Sequence, residues 1–450
     1  KDIARYQLGD PSLPQFLSES IIASHGDEAK RAEFEKRLIG VYQSSPTPEA
    51  RQFAAKQLRL IGTDASVPVL STLLANPVTA DDGRYALERI ATPAAATALR
   101  EALTSPVEGT EIGIVNSLGE LHDTESILLI APYIKSTNPL LRSAAAAALG
   151  KIGGDDAEKA LITSLTTAAP GEEAPYLEAI LTAVETRVAS GNVARATEIY
   201  ELLAAPANST RAQVCGLQGL ARTGSPKSIS AILRAFTAID ADLQRGAAVA
   251  ARLTTAPDAT REFAAQLDKL PTSAQTLLIN ALADRGDSTA LAAVTSAVSS
   301  SEPAISLAAV NALGAIGNAT SVPQLAELAA KGDAEIQSTA RASLAEMRGE
   351  DVDSAIAASI DKGDATVRRE LARALGSRRT KSAIPALLLA AADADSSVRA
   401  EGFASLAAIA PADQLKPIVE LLAIEQDDIT RAEGEKAALA VLSRNNDPAF

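Results

Sequence analysis

Histidine is the side chain that metal and acid–base chemistry draw on most, and this chain carries two. His25 precedes Gly26 where one helical stretch gives way to the next, and there an imidazolium suits the negative end of a helix dipole. His122 occupies a slot that five other segments fill with glycine, which marks it as a turn residue. Neither has a second histidine nearby in sequence to complete a zinc-type ligand set. The one cysteine, Cys215, stands in Gln213-Val214-Cys215-Gly216-Leu217, on the apolar face of a helical pattern. A lone thiol in that setting behaves as a small hydrophobe, and one cysteine permits no internal disulfide. Acidic pairs recur at Asp81-Asp82, Asp155-Asp156, Glu172-Glu173 and Asp427-Asp428. Each falls in a turn or at a helix start, where carboxylates cap free backbone N–H groups, and none has the spacing of a calcium loop. A Ser-centred nucleophile elbow, a Walker-type glycine loop and a dinucleotide fingerprint are all missing from the sequence. The expectation is a chain with no catalytic, cofactor-binding or metal residues.

Arginine offers more. Arg368, Arg369, Arg373, Arg378, Arg379 and Lys381 crowd into one segment with only Glu370 opposing them in sequence. Arg369 and Arg373 share a helix face, and Arg378-Arg379 fall in the turn that follows. Such an island in an acidic protein suits an anionic partner. Leu389, with Leu388 beside it, places an apolar residue in a helix slot that is otherwise mostly polar. Arg369, Arg373, Arg378, Arg379, Lys381 and Leu389 are therefore the candidate protein-binding surface.

Composition narrows the partner class. Lys and Arg number 42 against 56 Asp and Glu, a net charge of −14, and aromatic residues make up 3% of 450. A phosphate-backbone binder needs clustered cations to release counterions, so nucleic acid is not expected. No stretch reaches eighteen uninterrupted apolar residues, so no membrane insertion is expected either. Alanine and leucine dominate between short Gly, Pro, Asn and Asp breaks, a texture of helices repeated along the whole length.

Self-alignment shows the repeat. The Leu of Asn311-Ala-Leu-Gly-Ala-Ile-Gly317 has counterparts at Leu58, Leu87, Leu118, Leu149, Leu220, Leu253, Leu282, Leu344, Leu375, Leu406 and Leu439. From Leu282 to Leu406 the spacing is 31 residues every time; elsewhere it runs from 29 to 33. The interval of 71 between Leu149 and Leu220 holds two longer repeats with an anchor near Val184. Apolar residues three and four before the anchor, as in Ala309, Val310 and Leu313, make one helix stripe. Four residues after it, Gly62, Gly153, Gly224, Gly286 and Gly317 read as left-handed helix stops. Pro68, Pro323 and Pro385, ten after, suit the first turn of a second helix. Twelve after comes an apolar residue in ten repeats, among them Leu70, Ile130, Val294 and Ile418. Such a pair cannot bury its stripe alone, so neighbours must stack. Arg51, Arg142, Arg368 and Arg399 lie seven before their anchors; Asp333, Asp364 and Asp395 lie eleven before theirs. The fold expected is all-α, a right-handed α–α superhelix (solenoid) of about thirteen helix pairs. Residues 1–46, with helices over 13–24 and 27–43, would form an entry and capping region. The array would occupy 47–450, with longer repeats near 165–210 and an incomplete last repeat.

Units such as Asn311 to Leu325 resemble HEAT repeats of the short, phycobilisome-lyase type, over roughly 47–442. The resemblance implies an Asp and Arg ladder between adjacent repeats and a second helix lining the concave face. It also implies a non-catalytic scaffold that binds other protein surfaces. The iron-binding HEAT hydroxylases carry paired His-Glu motifs that have no counterpart here, and a bilin lyase is poorly served by a chain with no aromatic residue between Phe263 and Phe403. Bacterial arrays that open with a segment like Ile3-Ala-Arg-Tyr-Gln-Leu-Gly-Asp10 often precede a β-sandwich domain linked to sugar hydrolysis. From that likeness the alternative is an accessory solenoid of a larger secreted or periplasmic enzyme. The last helix, with its stripe at Ala438, Leu439 and Leu442, is expected to pack on the preceding repeat and end before Asn445-Asn446-Asp447-Pro448. Because it lacks a second helix, the parent chain is expected to continue into another repeat or domain.

Overall fold

A computed structural model describes residues 2–7, 9, 11–45 and 47–444. Among these residues there are twenty-seven α-helices, joined by turns and short 3-10 segments, and no strand. Two helices, Ser12–Ala23 and Glu28–Ser44, come first. Twelve helix pairs follow, each with a first (A) and a second (B) helix, and then a thirteenth A helix, Asp428–Ser443. The expected segment after Arg444 lies outside the described residues.

The chain divides into two compact units, Lys1–Ala196 and Thr197–Phe450. Within each unit an A helix packs against the A helices before and after it and against the B helix of the preceding pair. The residue pattern explains this arrangement. A leucine anchor and the apolar residues three and four before it lie on one side of the A helix, one helical turn apart. The side chain twelve after the anchor comes from the B helix and closes over that stripe. All ten residues in that slot (Leu70, Leu99, Ile130, Leu161, Ile232, Val294, Leu325, Ile356, Leu387 and Ile418) are completely inaccessible to solvent. Each such burial contributes about 2 kcal/mol relative to exposure, so the slot is a chief reason the pairs stay closed.

The longer interval is read correctly by its anchor. Val184 lies fully buried on the helix Ala174–Ala189, and its B helix is Val193–Leu203.

Two anchors and two caps need correction. Leu253 is only half-buried, whereas Ala250 and Ala251 are fully buried. Leu439 is 66% exposed and Leu442 44%; the last helix buries Thr430, Gly434, Ala437 and Val441 instead of the expected stripe. An offset of two residues turns a side chain by about 200° around a helix, onto the opposite face. With Ala251 in place the spacing is 31 from Leu220 through Leu406, and the slot twelve after Ala251 holds the fully buried Phe263. Of the five expected left-handed glycines, Gly153, Gly224 and Gly286 have positive φ, but Gly62 and Gly317 are extended. At Gly317 a β-carbon would fall 2.3 Å from the Leu313 carbonyl oxygen, so close approach is what demands glycine there.

Candidate interaction surface

His122 does take the turn role its slot suggested. Its φ is 49°, and its Nδ1–H donates to the Lys151 carbonyl oxygen at 2.6 Å across to the next repeat. His25 is exposed in the turn after the first helix. Burial pushes the half-buried Cys215 thiol above its ordinary pKa, against a smaller opposing effect of Arg211. The acidic pairs act as partners and caps: Asp81 meets Arg84 at 3.1 Å, Asp155 meets Arg187 at 2.6 Å, Glu172 meets Arg142 at 3.2 Å, and Asp427 accepts the Thr430 N–H. No group of three or more His, Cys, Asp and Glu side chains among the described residues is placed to hold a metal ion. None of the described helices is long and apolar enough to cross a membrane.

The arginine island is more tightly knit than its sequence suggested. Glu370, whose side chain is shut off from solvent, is not the sole opposing group but the centre of a web. It accepts from Arg341 Nε at 2.7 Å, from Arg373 Nη1 at 3.1 Å and from Arg369 Nη2 at 3.5 Å. Arg373 also reaches Glu401 on the next A helix, and Arg368 makes a two-pronged contact with Asp393, 2.7 Å on each prong. Arg378 is 9% exposed; it pairs with Asp353 and donates to the Leu344 and Met347 carbonyls at 2.9 and 2.7 Å. Those carbonyls end the helix Ala334–Glu346 and have no partner within it. Arg373 and Arg378 therefore join one repeat to the next, while Arg369 meets Glu370 of its own helix. Arg379, with φ of 54° at the cap of the helix Ala365–Arg378, and Lys381, in the turn after it, are exposed. Neither has a carboxylate partner among the described residues. Leu389 is 64% exposed on the B helix Ile384–Ala391. Of the six candidates, Arg379, Lys381 and Leu389 are exposed, Arg369 and Arg373 are partly so, and Arg378 is almost covered.

The Asp and Arg ladder differs in its wiring from the expected one. Asp333, Asp364 and Asp395 cap their own helices, accepting the N–H groups of Ile336, Val367 and Ser397. Three of the four arginines seven before the anchors do the bridging, to other carboxylates (Arg142 to Glu172, Arg368 to Asp393 and Arg399 to Glu425), whereas Arg51 donates to the Ser45 carbonyl and Asp364 also meets Lys331 at 2.8 Å.

A second arginine position escaped sequence reasoning. Arg285 and Arg378 each stand three after an anchor, and both clasp the carbonyls that end the preceding A helix; Arg285 reaches Ala251 and Thr254 at 2.9 and 2.8 Å. Burial holds Arg285 below the usual guanidinium pKa. The signal in sequence was their separation of three whole repeats.

The model for HEAT repeats matches residues 109–174, 260–345 and 352–438, just over half of the chain. The chain belongs to the HEAT-repeat family. No curated protein sequence matches it. Among solved structures, this HEAT-repeat chain is similar to human deoxyhypusine hydroxylase, at 20% identity over 57% of this chain and 99% of that one, with a TM-score of 0.27. It is also similar to a Kap121p mutant, at 12% identity over 91% of this chain, with a TM-score of 0.49. The match spans 52% of Kap121p, so this HEAT-repeat chain covers about half the length of that relative. Both scores fall below 0.5, and the family assignment rests on the repeats themselves.

Proposed function

We propose that this HEAT-repeat chain is a non-catalytic scaffold that binds other proteins, with a contact surface on the helix Ile384–Ala391 and the turn before it. One observation carries the reading. Leu389 stands 64% exposed on a helix whose other side is fully packed, close in sequence to Arg379 and Lys381, two exposed cations that pair with no carboxylate among the described residues. Arg368, Arg373 and Arg378 are engaged with carboxylates of neighbouring elements, so Leu389, Arg379 and Lys381 are the most accessible part of the island. An exposed leucine alone is ordinary. A leucine on the helix that follows two unpaired cations, in a protein of net charge −14, is a more selective combination.

Reconstitution tests the proposal. Proteins retained by the immobilised chain from its source cells are identified, purified and rebound one at a time. At least one should rebind stoichiometrically, and Leu389→Glu together with Lys381→Glu should weaken it while helicity stays unchanged. If no retained protein rebinds once purified, the scaffold reading fails.

A further inference from the structure

We draw no further inference here: the strongest candidate, the apolar cleft of about 800 Å³ between the helices Ser12–Ala23 and Glu28–Ser44, lined by Ile3, Leu17, Ile21, Phe34 and Leu38, is half open, and nothing in the structure shows what covers it.

Discussion

At Glu370 three guanidinium groups converge on one carboxylate that solvent does not reach. Removing a single partner from a buried ionic group costs more than the pair itself contributes, because the remaining charges stay desolvated without compensation. Replacing Glu370 with Gln strips charge from the centre of the web and leaves Arg341, Arg369 and Arg373 facing a neutral amide. The expected loss is roughly 3 kcal/mol. Arg379 lies in the same segment but has no such partner, and Arg379→Ala should change stability by no more than about 0.5 kcal/mol. Urea unfolding followed by far-UV circular dichroism, run on both variants, checks the contrast. Equal midpoints would mean that the web around Glu370 is not what holds these repeats together. The sequence offered Arg373 and Arg379 as equals. Only the neighbouring helices, which bring Arg341 and Glu401 to the site, separate a structural arginine from a free one.

Helices were easier to read than the contacts between them, for a physical reason. A stripe with 3.6-residue periodicity and a glycine or proline stop is local information, and it placed the second helix of ten pairs and the turn at His122. Leu253 and Leu439 have the residue type of an anchor but not its helical phase. Ala251 fills the slot with a small side chain while Phe263 supplies bulk from the B helix, an exchange of volume that a search for leucine does not see. Joints between elements depend on residues about thirty apart, as at the last B-to-A joint. There Glu425 accepts from Arg399 Nε and Nη2 at 2.6 and 2.9 Å, and from the Gln426 and Asp427 N–H groups at 2.8 Å each. The Arg399 bond is the main cause of a pKa brought from 4.5 down to about 2, with the backbone donors adding to it against the effect of burial. The carboxylate is thus more acidic folded than unfolded. Its contribution is complete above about pH 4.5 and is lost as pH falls toward 2. Hydrogen-exchange protection of the helix Asp428–Ser443 should fall across that window, ahead of the helix Pro303–Ile316, and Glu425→Gln should flatten the profile. A wild-type profile already flat would show that the joint does not depend on this pair.

In a molecule built of repeats, stability adds up from each unit and its contacts with the next, so a whole unit can be removed where a part cannot. The period of 31 from Leu220 through Leu406 makes this testable. Deleting residues 287–317 joins Gly286 to Asn318 and takes out the B helix Leu291–Ala297 and the A helix Pro303–Ile316. The new junction keeps its chemistry. Gly286 retains its left-handed cap, Arg285 retains its clasp on the preceding helix, and Asn318 replaces Asp287, each accepting the N–H two residues on. Val322 then begins the B helix where Leu291 did, and Leu325 takes the slot of Val294. The shortened chain should fold with unchanged helicity per residue and remain monodisperse, with a melting temperature a few degrees lower. Deleting the A helix alone, residues 303–317, leaves two B helices in succession. That exposes the stripe of Leu291–Ala297 and the facing sides of the A helices Thr272–Arg285 and Ala334–Glu346, which the lost helix had covered, and aggregation should follow. Circular dichroism and size-exclusion chromatography distinguish the two deletions. If the 31-residue deletion collapses as completely as the single-helix one, the repeats are not interchangeable units, and stability depends on features particular to each position in the array.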